Sequence, residues 1–297
     1  MPSVQTNGVK LEYDESGPQD APVILLIMGL GMQLIAWPDS LVRGLVGRGF
    51  RVIRFDNRDA GLSTFLPKVS RLRTIATMAL AGLRLPVRPP YALEDMARDV
   101  VGLMDALHIA KAHVVGASMG GMIAQVLAIE HPDRVASLTS IMSTTGDRSL
   151  PGPGRTVVRA LMRPRPRDPE RAKTQSVELF KLIAGPVVAP SEAELRARVE
   201  KAFARSNRPD GFSRQLLAIQ TAPNRSARLR NVRAPTLVLH GAEDPLVPVA
   251  AGKQTAESIP GARLRIVPGM GHFLPEALIP LLTDEIARHC LEAEAAA

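Results

Sequence analysis

The feature that most limits the fold is the segment PVILLIMG, residues 22–29, which is almost entirely apolar. A strand of this composition is covered on both faces, as in a parallel sheet between two layers of helices. It is followed by a segment with helical spacing, DSLVRGLVGRG, and then by another strand signal, RVIRFDNRDAG. Regular alternation of strands and helices favours a mostly parallel sheet flanked by helices. The sequence therefore predicts an α/β fold.

Strand and helix signals alternate through the first half of the chain. The segment VQTNGVKLEYDESG alternates apolar and polar residues around Asn-Gly, which predicts an opening β-hairpin. The segment YALEDMARDVVGLMDALHI has apolar residues at helical spacing and predicts an amphipathic helix. After it, KAHVVGAS predicts a strand, GGMIAQVLAIEHP a helix and VASLTSIMS the sixth strand.

The alternation stops near residue 145. Residues 146–222 open with GDRSLPGPG, contain helical stretches such as SEAELRARVEKAFARS, and include no apolar segment typical of a strand. Strand signals return in APTLVLHGAEDPLVP and ARLRIVPGMGH, and ALIPLLTDEIARHCLEAEA predicts a closing helix. We therefore expect an α/β core formed by residues 1–145 and 223–297, with a helical cap, residues 146–222, inserted after the sixth strand.

Composition excludes several classes of protein. Of the 297 residues, 45% are hydrophobic and 22% are charged, which is typical of a globular chain rather than a disordered one. No apolar run approaches the roughly eighteen residues that a membrane span needs, and we expect no signal peptide at the N-terminus. The single cysteine, Cys290, leaves no internal disulfide, so we expect a cytoplasmic protein.

The net charge of +8 is compatible with an anionic partner. Aromatic residues make up only 3% of the chain, however, and no zinc-ligand spacing, basic zipper or aromatic RNA-binding motif occurs, so we expect no nucleic-acid partner. We interpret most basic residues as solvated surface. The segment 66–90 mixes apolar residues with arginines and could form a packed flap or an interfacial membrane helix, of which its prolines favour the flap. A homodimer is compatible with the sequence.

The segment VVGASMGGM, residues 114–122, fits the pattern G-x-S-x-G. Its serine, Ser118, falls between a predicted strand and a helix that begins near Gly120. A tight strand-to-helix turn lifts a serine hydroxyl above the sheet edge, and glycines such as Gly116 and Gly121 let the backbone approach closely. The segment predicts a nucleophile elbow; the alternative is a serine helix cap on a glycine turn.

A serine nucleophile needs a base and an acid that orients the base. Of the six histidines, His272 lies in a glycine-bounded loop after a late strand, GMGHFLPE, from which its ring can reach over the sheet edge. His240 ends the strand TLVLH and is interpreted as structural. In HGAEDPLVP, Asp244 is a better acid candidate than Glu243 because Pro245 fixes the turn after it. The order Ser…Asp…His at three strand ends predicts a catalytic triad.

Together, GASMGG, HGAEDPLVP and GMGHF resemble the nucleophile, acid and histidine loops of the α/β-hydrolase superfamily, and the resemblance covers nearly the whole chain. The segment FDNRDAGLS resembles the D-x-R-G-x-G-x-S turn of this group, with Asp59 and Ala60 departing from the usual pattern. IMGLGMQLIAWP followed by RVIRFDNRDAGLST resembles the subgroup of the aclacinomycin methylesterases, which act on a methyl ester carried by a large aromatic polyketide. Many relatives have His-Gly where this chain has Met28 and Gly29.

The resemblance implies that Ser118 attacks an ester carbonyl, that His272 is the base and that Asp244 holds the imidazole tautomer. It also implies an oxyanion hole formed by the backbone N–H groups of Leu30 and Met119. Main-chain donors do not depend on side-chain identity, so the missing histidine need not weaken this hole. We expect a small-molecule ester as substrate, and neither a metal ion nor an organic cofactor.

Several apolar residues are candidates for the substrate pocket or for packing of the cap onto the core: Met28, Gly29, Leu179, Phe180, Phe212 and Phe273. Three functions stay open. The favoured one is a carboxylic ester hydrolase that works through an acyl-enzyme. The same triad also serves carbon–carbon bond hydrolases, perhydrolases and acyltransferases. The third is a non-catalytic ligand-binding member of the fold.

Overall fold

The computed structural model describes residues 1–67, 76–77, 79–80, 82–83, 85 and 87–296. The segment 66–90, for which we expected a flap, lies partly outside these residues. The strands are β1 (Ser3–Thr6), β2 (Val9–Ser16), β3 (Val23–Ile27), β4 (Arg51–Phe55), β5 (Ala112–Ala117), β6 (Val135–Ile141), β7 (Thr236–Gly241) and β8 (Arg263–Val267). Within the described chain they form one eight-stranded sheet in the order β1-β2-β4-β3-β5-β6-β7-β8.

The sheet is parallel except at one edge. Strands β3 to β8 pair in parallel, whereas β1 pairs with β2, and β2 with β4, in antiparallel register. The turn between β1 and β2 has positive φ at both central residues, 44° at Asn7 and 75° at Gly8. Two successive positive φ values match the twist of a two-residue hairpin. The mostly parallel sheet and its opening hairpin are therefore as predicted.

Within the described ranges, the α-helices with defined bounds cover both faces of the sheet or lie in the insertion. They are α1 (Asp39–Val46), α2 (Leu93–Ala106), α3 (Met119–Glu130), α4 (Arg155–Met162), α5 (Pro169–Ile183), α6 (Glu192–Arg205), α7 (Asp210–Thr221), α8 (Ser226–Leu229), α9 (Val249–Ser258) and α10 (Ile279–Ala295). Successive residues of β3 point to opposite faces: Leu25 and Ile27 join the core cluster that contains α2 and α3, while Ile24 and Leu26 join the cluster that contains α1 and α10. This is why β3 is apolar at every position.

The chain between β6 and β7 is helical. Residues 146–222, all of which the structure describes, contain α4 to α7 and no strand. Val177, Leu195 and Val199 form a small apolar cluster between α5 and α6. The division of the chain into a core and a cap domain remains our prediction. Among the described helices, none is long and apolar enough to cross a bilayer.

The two ends of this helical insertion lie side by side. The backbone N–H of Arg225 donates to the carbonyl oxygen of Thr145 at 2.8 Å, and its guanidinium donates to the carbonyl oxygen of Thr144, also at 2.8 Å. Burial lowers the pKa of Arg225 to about 10. The chain therefore leaves the core and returns to it at one buried, hydrogen-bonded point.

Candidate active site

Ser118 lies on a sharp turn between β5 and α3. Its backbone angles are φ 56° and ψ −119°, a conformation that non-glycine residues rarely adopt. The glycines around it allow backbone segments to touch: a Cβ on Gly120 would lie 2.0 Å from the carbonyl oxygen of Ile27, and one on Gly116 would lie 2.2 Å from that of Gly120. The geometry is that of a nucleophile elbow.

The strained turn is held by hydrogen bonds from the neighbouring strand end. The N–H of Ser118 donates to the carbonyl oxygen of Ile141 at 2.9 Å. The carbonyl oxygen of Ser118 accepts from the N–H of Gly121 at 2.9 Å and from the hydroxyl of Ser143 at 2.8 Å. Ser143 was missed in the sequence, where no signal distinguishes it from any other serine after a strand.

The structure brings the three predicted triad residues together. Nε2 of His272 lies 3.0 Å from Oγ of Ser118, and Nδ1 of His272 lies 2.7 Å from Oδ2 of Asp244. The Asp244 side chain is fully buried and the His272 side chain nearly so, whereas Ser118 is partly accessible. A partly accessible hydroxyl backed by a buried imidazole and carboxylate can lose its proton to the imidazole.

The hydrogen bonds of the Asp244 carboxylate determine which ring nitrogen of His272 carries the proton. Oδ1 accepts from the backbone N–H groups of Leu246 and Val247, at 2.9 and 2.7 Å. Because a carboxylate only accepts, the Nδ1–H of His272 donates to Oδ2, which leaves the Nε2 lone pair facing Ser118. This is the tautomer that a general base requires.

His240 supports the acid loop instead of joining the triad. Its Nε2 lies 2.8 Å from the carbonyl oxygen of Val247, which only accepts, so this nitrogen carries the proton. The same nitrogen is 3.7 Å from Oδ2 of Asp244. Burial lowers the pKa of His240, which keeps the ring neutral beside the carboxylate. The structural interpretation made from the sequence agrees with this placement.

The two predicted oxyanion donors lie on different elements: Leu30 follows β3, and Met119 is the first residue of α3, directly after Ser118. We call residues 28–34 the oxyanion loop. A Cβ on Gly29 would stand 3.1 Å from Cβ of Ser118, a tight contact, so the loop lies close to the serine. Within the part of the chain that the structure describes, the N–H groups of Leu30 and Met119 donate to no protein acceptor. Neither amide is thus committed to another group of the described chain.

The turn after β4 forms hydrogen bonds with the oxyanion loop. The side-chain amide of Asn57 donates to the carbonyl oxygen of Met28 at 2.9 Å, and Oδ1 of Asp56 accepts from the N–H of Leu34 at 2.7 Å. Oδ2 of Asp56 accepts from Arg205 of α6 at 2.7 Å. Burial raises the pKa of Asp56, and these donors oppose that effect. A helix of the insertion therefore helps to hold this turn.

Asp59 stands where the family pattern has glycine, whereas Ala60 falls on a position that the pattern leaves open and is no departure from it. The φ of 65° at Asp59 explains why glycine is usual there. The buried Asp59 carboxylate accepts two hydrogen bonds from Arg214 of α7, at 2.8 and 2.6 Å, and one from the hydroxyl of Tyr91 at 2.8 Å. The departure from the pattern thus adds a direct ion pair between core and insertion.

The insertion also touches the histidine loop. The N–H of His272 donates to the carbonyl oxygen of Ile183 at 2.7 Å, and the N–H of Val188 donates to that of Gly269 at 3.1 Å. A helical segment of the insertion therefore fixes the backbone of the candidate base.

The six pocket candidates are distributed around these contacts. Phe273 packs edge-on against Phe180 with ring centroids 6.0 Å apart, and Leu179 is half-buried on the same helix. Phe212 lies against the oxyanion loop, and Met28 is buried in the core cluster beside α1. Phe180 and Phe273 thus pack the insertion onto the histidine loop, the second role considered from the sequence; contact of any candidate with substrate remains a prediction.

The fold and the geometry of the site are those of a hydrolase, and comparison with known proteins identifies the family. The chain belongs to the α/β-hydrolase family: a family model described as alpha/beta hydrolase fold matches residues 22–276. Rhodomycin D methylesterase DauP of Streptomyces sp. (strain C5) is 30% identical over 292 residues, with 92% of this chain and 91% of that protein covered. The predicted superfamily and the similarity to methylesterases are confirmed.

One further relative and one solved structure are named for a different reaction. The 2-hydroxy-6-oxononadienedioate/2-hydroxy-6-oxononatrienedioate hydrolase of Paraburkholderia xenovorans (strain LB400) is 29% identical over 272 residues, covering 89% of this chain and 85% of that protein. The solved structure of a meta-cleavage product hydrolase from Pseudomonas fluorescens IP01 has a TM-score of 0.76 at 21% identity, covering 99% and 98% of the two chains. The latter similarity confirms the fold alone.

Proposed function

We propose that this hydrolase is a serine esterase that cleaves carboxylic esters of small molecules. The observation that carries the proposal is the relay from Asp244 through His272 to Ser118, with distances of 2.7 and 3.0 Å, at a strained elbow. The similarity to a methylesterase over nearly the whole chain supports an ester as the bond that is cleaved. A ligand-binding protein without turnover would not need the relay.

The proposed mechanism uses only groups of this chain and water. Oγ of Ser118 attacks the ester carbonyl while Nε2 of His272 takes the hydroxyl proton, and the N–H groups of Leu30 and Met119 stabilise the oxyanion. As the tetrahedral intermediate collapses, His272 gives its proton to the leaving alcohol and an acyl-enzyme remains. Water then attacks the acyl carbon and gives a proton to Nε2 of His272. As the acyl–Oγ bond breaks, the acid leaves and His272 passes this proton to Oγ of Ser118.

The test is the hydrolysis of p-nitrophenyl esters of increasing acyl length by the wild-type protein, Ser118→Ala and the exposed control Ser149→Ala. We expect turnover in the wild-type and control proteins, and a loss of at least about a thousandfold in Ser118→Ala. Mass spectrometry after treatment with diethyl p-nitrophenyl phosphate should place the phosphoryl adduct on Ser118. Equal activity in all three proteins would contradict the mechanism.

The second candidate is a carbon–carbon bond hydrolase, which the 29% identity to a 2-hydroxy-6-oxononadienedioate hydrolase favours. The same relay would serve it, because a carbonyl carbon is attacked in both reactions. A 2-hydroxy-6-oxo-dienoate substrate distinguishes the two functions when its turnover is compared with that of methyl esters. Faster cleavage of the 2-hydroxy-6-oxo-dienoate than of methyl esters, abolished by Ser118→Ala, would favour this candidate over the esterase.

A further inference from the structure

Gln215 of α7 contacts the backbone of the oxyanion loop. Its side chain is fully buried, although it belongs to the helical insertion and not to the core. Oε1 of Gln215 accepts from the N–H of Gly31 at 2.7 Å, and Nε2 of Gln215 donates to the carbonyl oxygen of Arg58 at 2.7 Å. One side chain therefore joins the oxyanion loop to the turn after β4.

The pair of hydrogen bonds needs a neutral carboxamide. A carboxylate would accept from Gly31 but repel the carbonyl oxygen of Arg58, and an ammonium group could not accept at all. The peptide plane between Leu30 and Gly31 is fixed when its N–H is held. This sets the backbone of Leu30, whose own N–H is the proposed oxyanion donor.

The helix that carries Gln215 is itself fixed to the core. Arg214, the preceding residue, makes the bidentate pair with Asp59. Gly211 lies so close to the same turn that a Cβ there would be 2.0 Å from the carbonyl oxygen of Asp59. Phe212 stands 2.8 Å from the position that a Cβ on Gly31 would occupy. These contacts seat one face of α7 on both loops at once.

We propose that Gln215 is a positioning residue: it holds the oxyanion loop in its working conformation, so that seating of the insertion on the core is required for the full rate of the chemical step. The inference rests on the proposed function, because it assigns the Leu30 amide to the oxyanion. Gln215 touches no reacting atom. It acts through the backbone of Gly31 and Leu30.

The test compares Gln215→Met with Gln220→Met. Gln220 lies on the same helix, and its side-chain carbonyl oxygen has no hydrogen-bond partner among the described residues. Active sites are titrated with diethyl p-nitrophenyl phosphate, and kcat is expressed per titrated site on p-nitrophenyl butyrate. We expect kcat of Gln215→Met to fall at least about tenfold with KM within about twofold, because a displaced donor weakens binding of the transition state and not of the substrate. Gln220→Met should keep the wild-type kcat.

Gln215→Glu adds a measurement, the pH dependence of kcat, that would not change if Gln215 had a purely structural role. When its carboxyl group is protonated it can accept from Gly31 and donate to Arg58, as the amide does. The ratio of its kcat to that of the wild-type protein should therefore rise as the pH falls. This variant also carries the test if Gln215→Met does not fold.

Two results would overturn the inference. One is an unchanged kcat per titrated site in Gln215→Met, with any loss confined to the number of active sites. The other is a kcat ratio for Gln215→Glu that does not vary with pH. Either result combined with an inactive Ser118→Ala would leave the proposed esterase mechanism intact, whereas an active Ser118→Ala would remove the basis of both.

Discussion

Arg214 and Asp59 form a bidentate ion pair, at 2.8 and 2.6 Å, whose carboxylate is fully buried. The two residues come from different parts of the fold, the helix α7 of the insertion and the turn after β4. The pair therefore joins the helical insertion to the turn that supports the oxyanion loop. Because charges out of water need their partners, this contact should be far more sensitive to single substitutions than a surface pair.

Removal of Arg214 tests this pair. Arg214→Met leaves the Asp59 carboxylate buried without its cation, which should lower the free energy of unfolding by about 3–5 kcal/mol in urea titrations. In the double variant Asp59→Asn/Arg214→Met no buried charge remains unpaired at this site, so part of the loss should be recovered. Arg163→Met, which breaks the exposed pair with Glu178, is the control and should cost about 1 kcal/mol or less. Equal effects of the two single substitutions would refute the expectation.

A methyl group at Gly120 tests the elbow. The added Cβ would meet the carbonyl oxygen of Ile27 at 2.0 Å, and this is a backbone atom of the central strand β3, which cannot yield as the end of a flexible side chain can. Gly120→Ala should therefore lower the free energy of unfolding by about 3 kcal/mol and abolish ester hydrolysis. Gly152→Ala is the matched control, because a Cβ there meets nothing within 4 Å. Its thermal melt and its activity should both match those of the wild-type protein.

Stability should fall in mild acid partly through His289. Burial, aided by the charge of Arg263, lowers the pKa of His289 in the folded state. In the unfolded chain the pKa is about 6.5, so the unfolded state binds more protons between the two values. Stability contributed by neutral His289 is thus present above about pH 6.5 and lost as the pH falls below it, by at most about 1.4 kcal/mol per pH unit.

His289→Gln is the corresponding measurement. The free energy of unfolding, determined by urea titration at a series of mildly acidic pH values, should depend less steeply on pH than in the wild-type protein. An identical slope would mean that the acid sensitivity arises elsewhere.

Cys290 should be inert until the protein unfolds. The thiol is fully buried beside the hydroxyl of Ser137, and burial raises the pKa of Cys290 to about 12. At neutral pH the folded protein should therefore release no thionitrobenzoate from Ellman's reagent, and one equivalent per chain in concentrated urea. Esterase activity should survive the treatment of the folded protein. Rapid labelling in the absence of denaturant would show that α10 opens locally.

The candidate site was predictable where its signals are local. Ser118, Asp244 and His272 each follow a predicted strand, and glycine or proline marks each turn. Carboxyl ends of parallel strands meet at one edge of the sheet, so strand order alone brings such residues together. The apolar runs and helical periods likewise predicted the elements of the core.

What the sequence did not reveal depends on contacts between distant segments. Gln215 meets Gly31 across 184 residues, and Arg205 meets Asp56 across 149. Polar residues on an amphipathic helix have the same pattern whether they face water or another loop, so periodicity cannot separate them. The interpretation of basic residues as solvated surface is accordingly wrong for Arg58, Arg214 and Arg225, which are buried and hydrogen-bonded.

The meeting of the insertion's two ends, through the hydrogen bonds of Arg225 to Thr144 and Thr145, has a consequence for protein engineering. A helical segment from another protein can be inserted at this junction without distorting the sheet, because its two ends need only span a short gap. Such a chimaera would replace the helices α4 to α7 as one unit. To keep the full rate of the chemical step, the chimaera would need a residue that replaces Gln215. Grafting therefore yields an active enzyme only when the transplanted helices also hold the oxyanion loop.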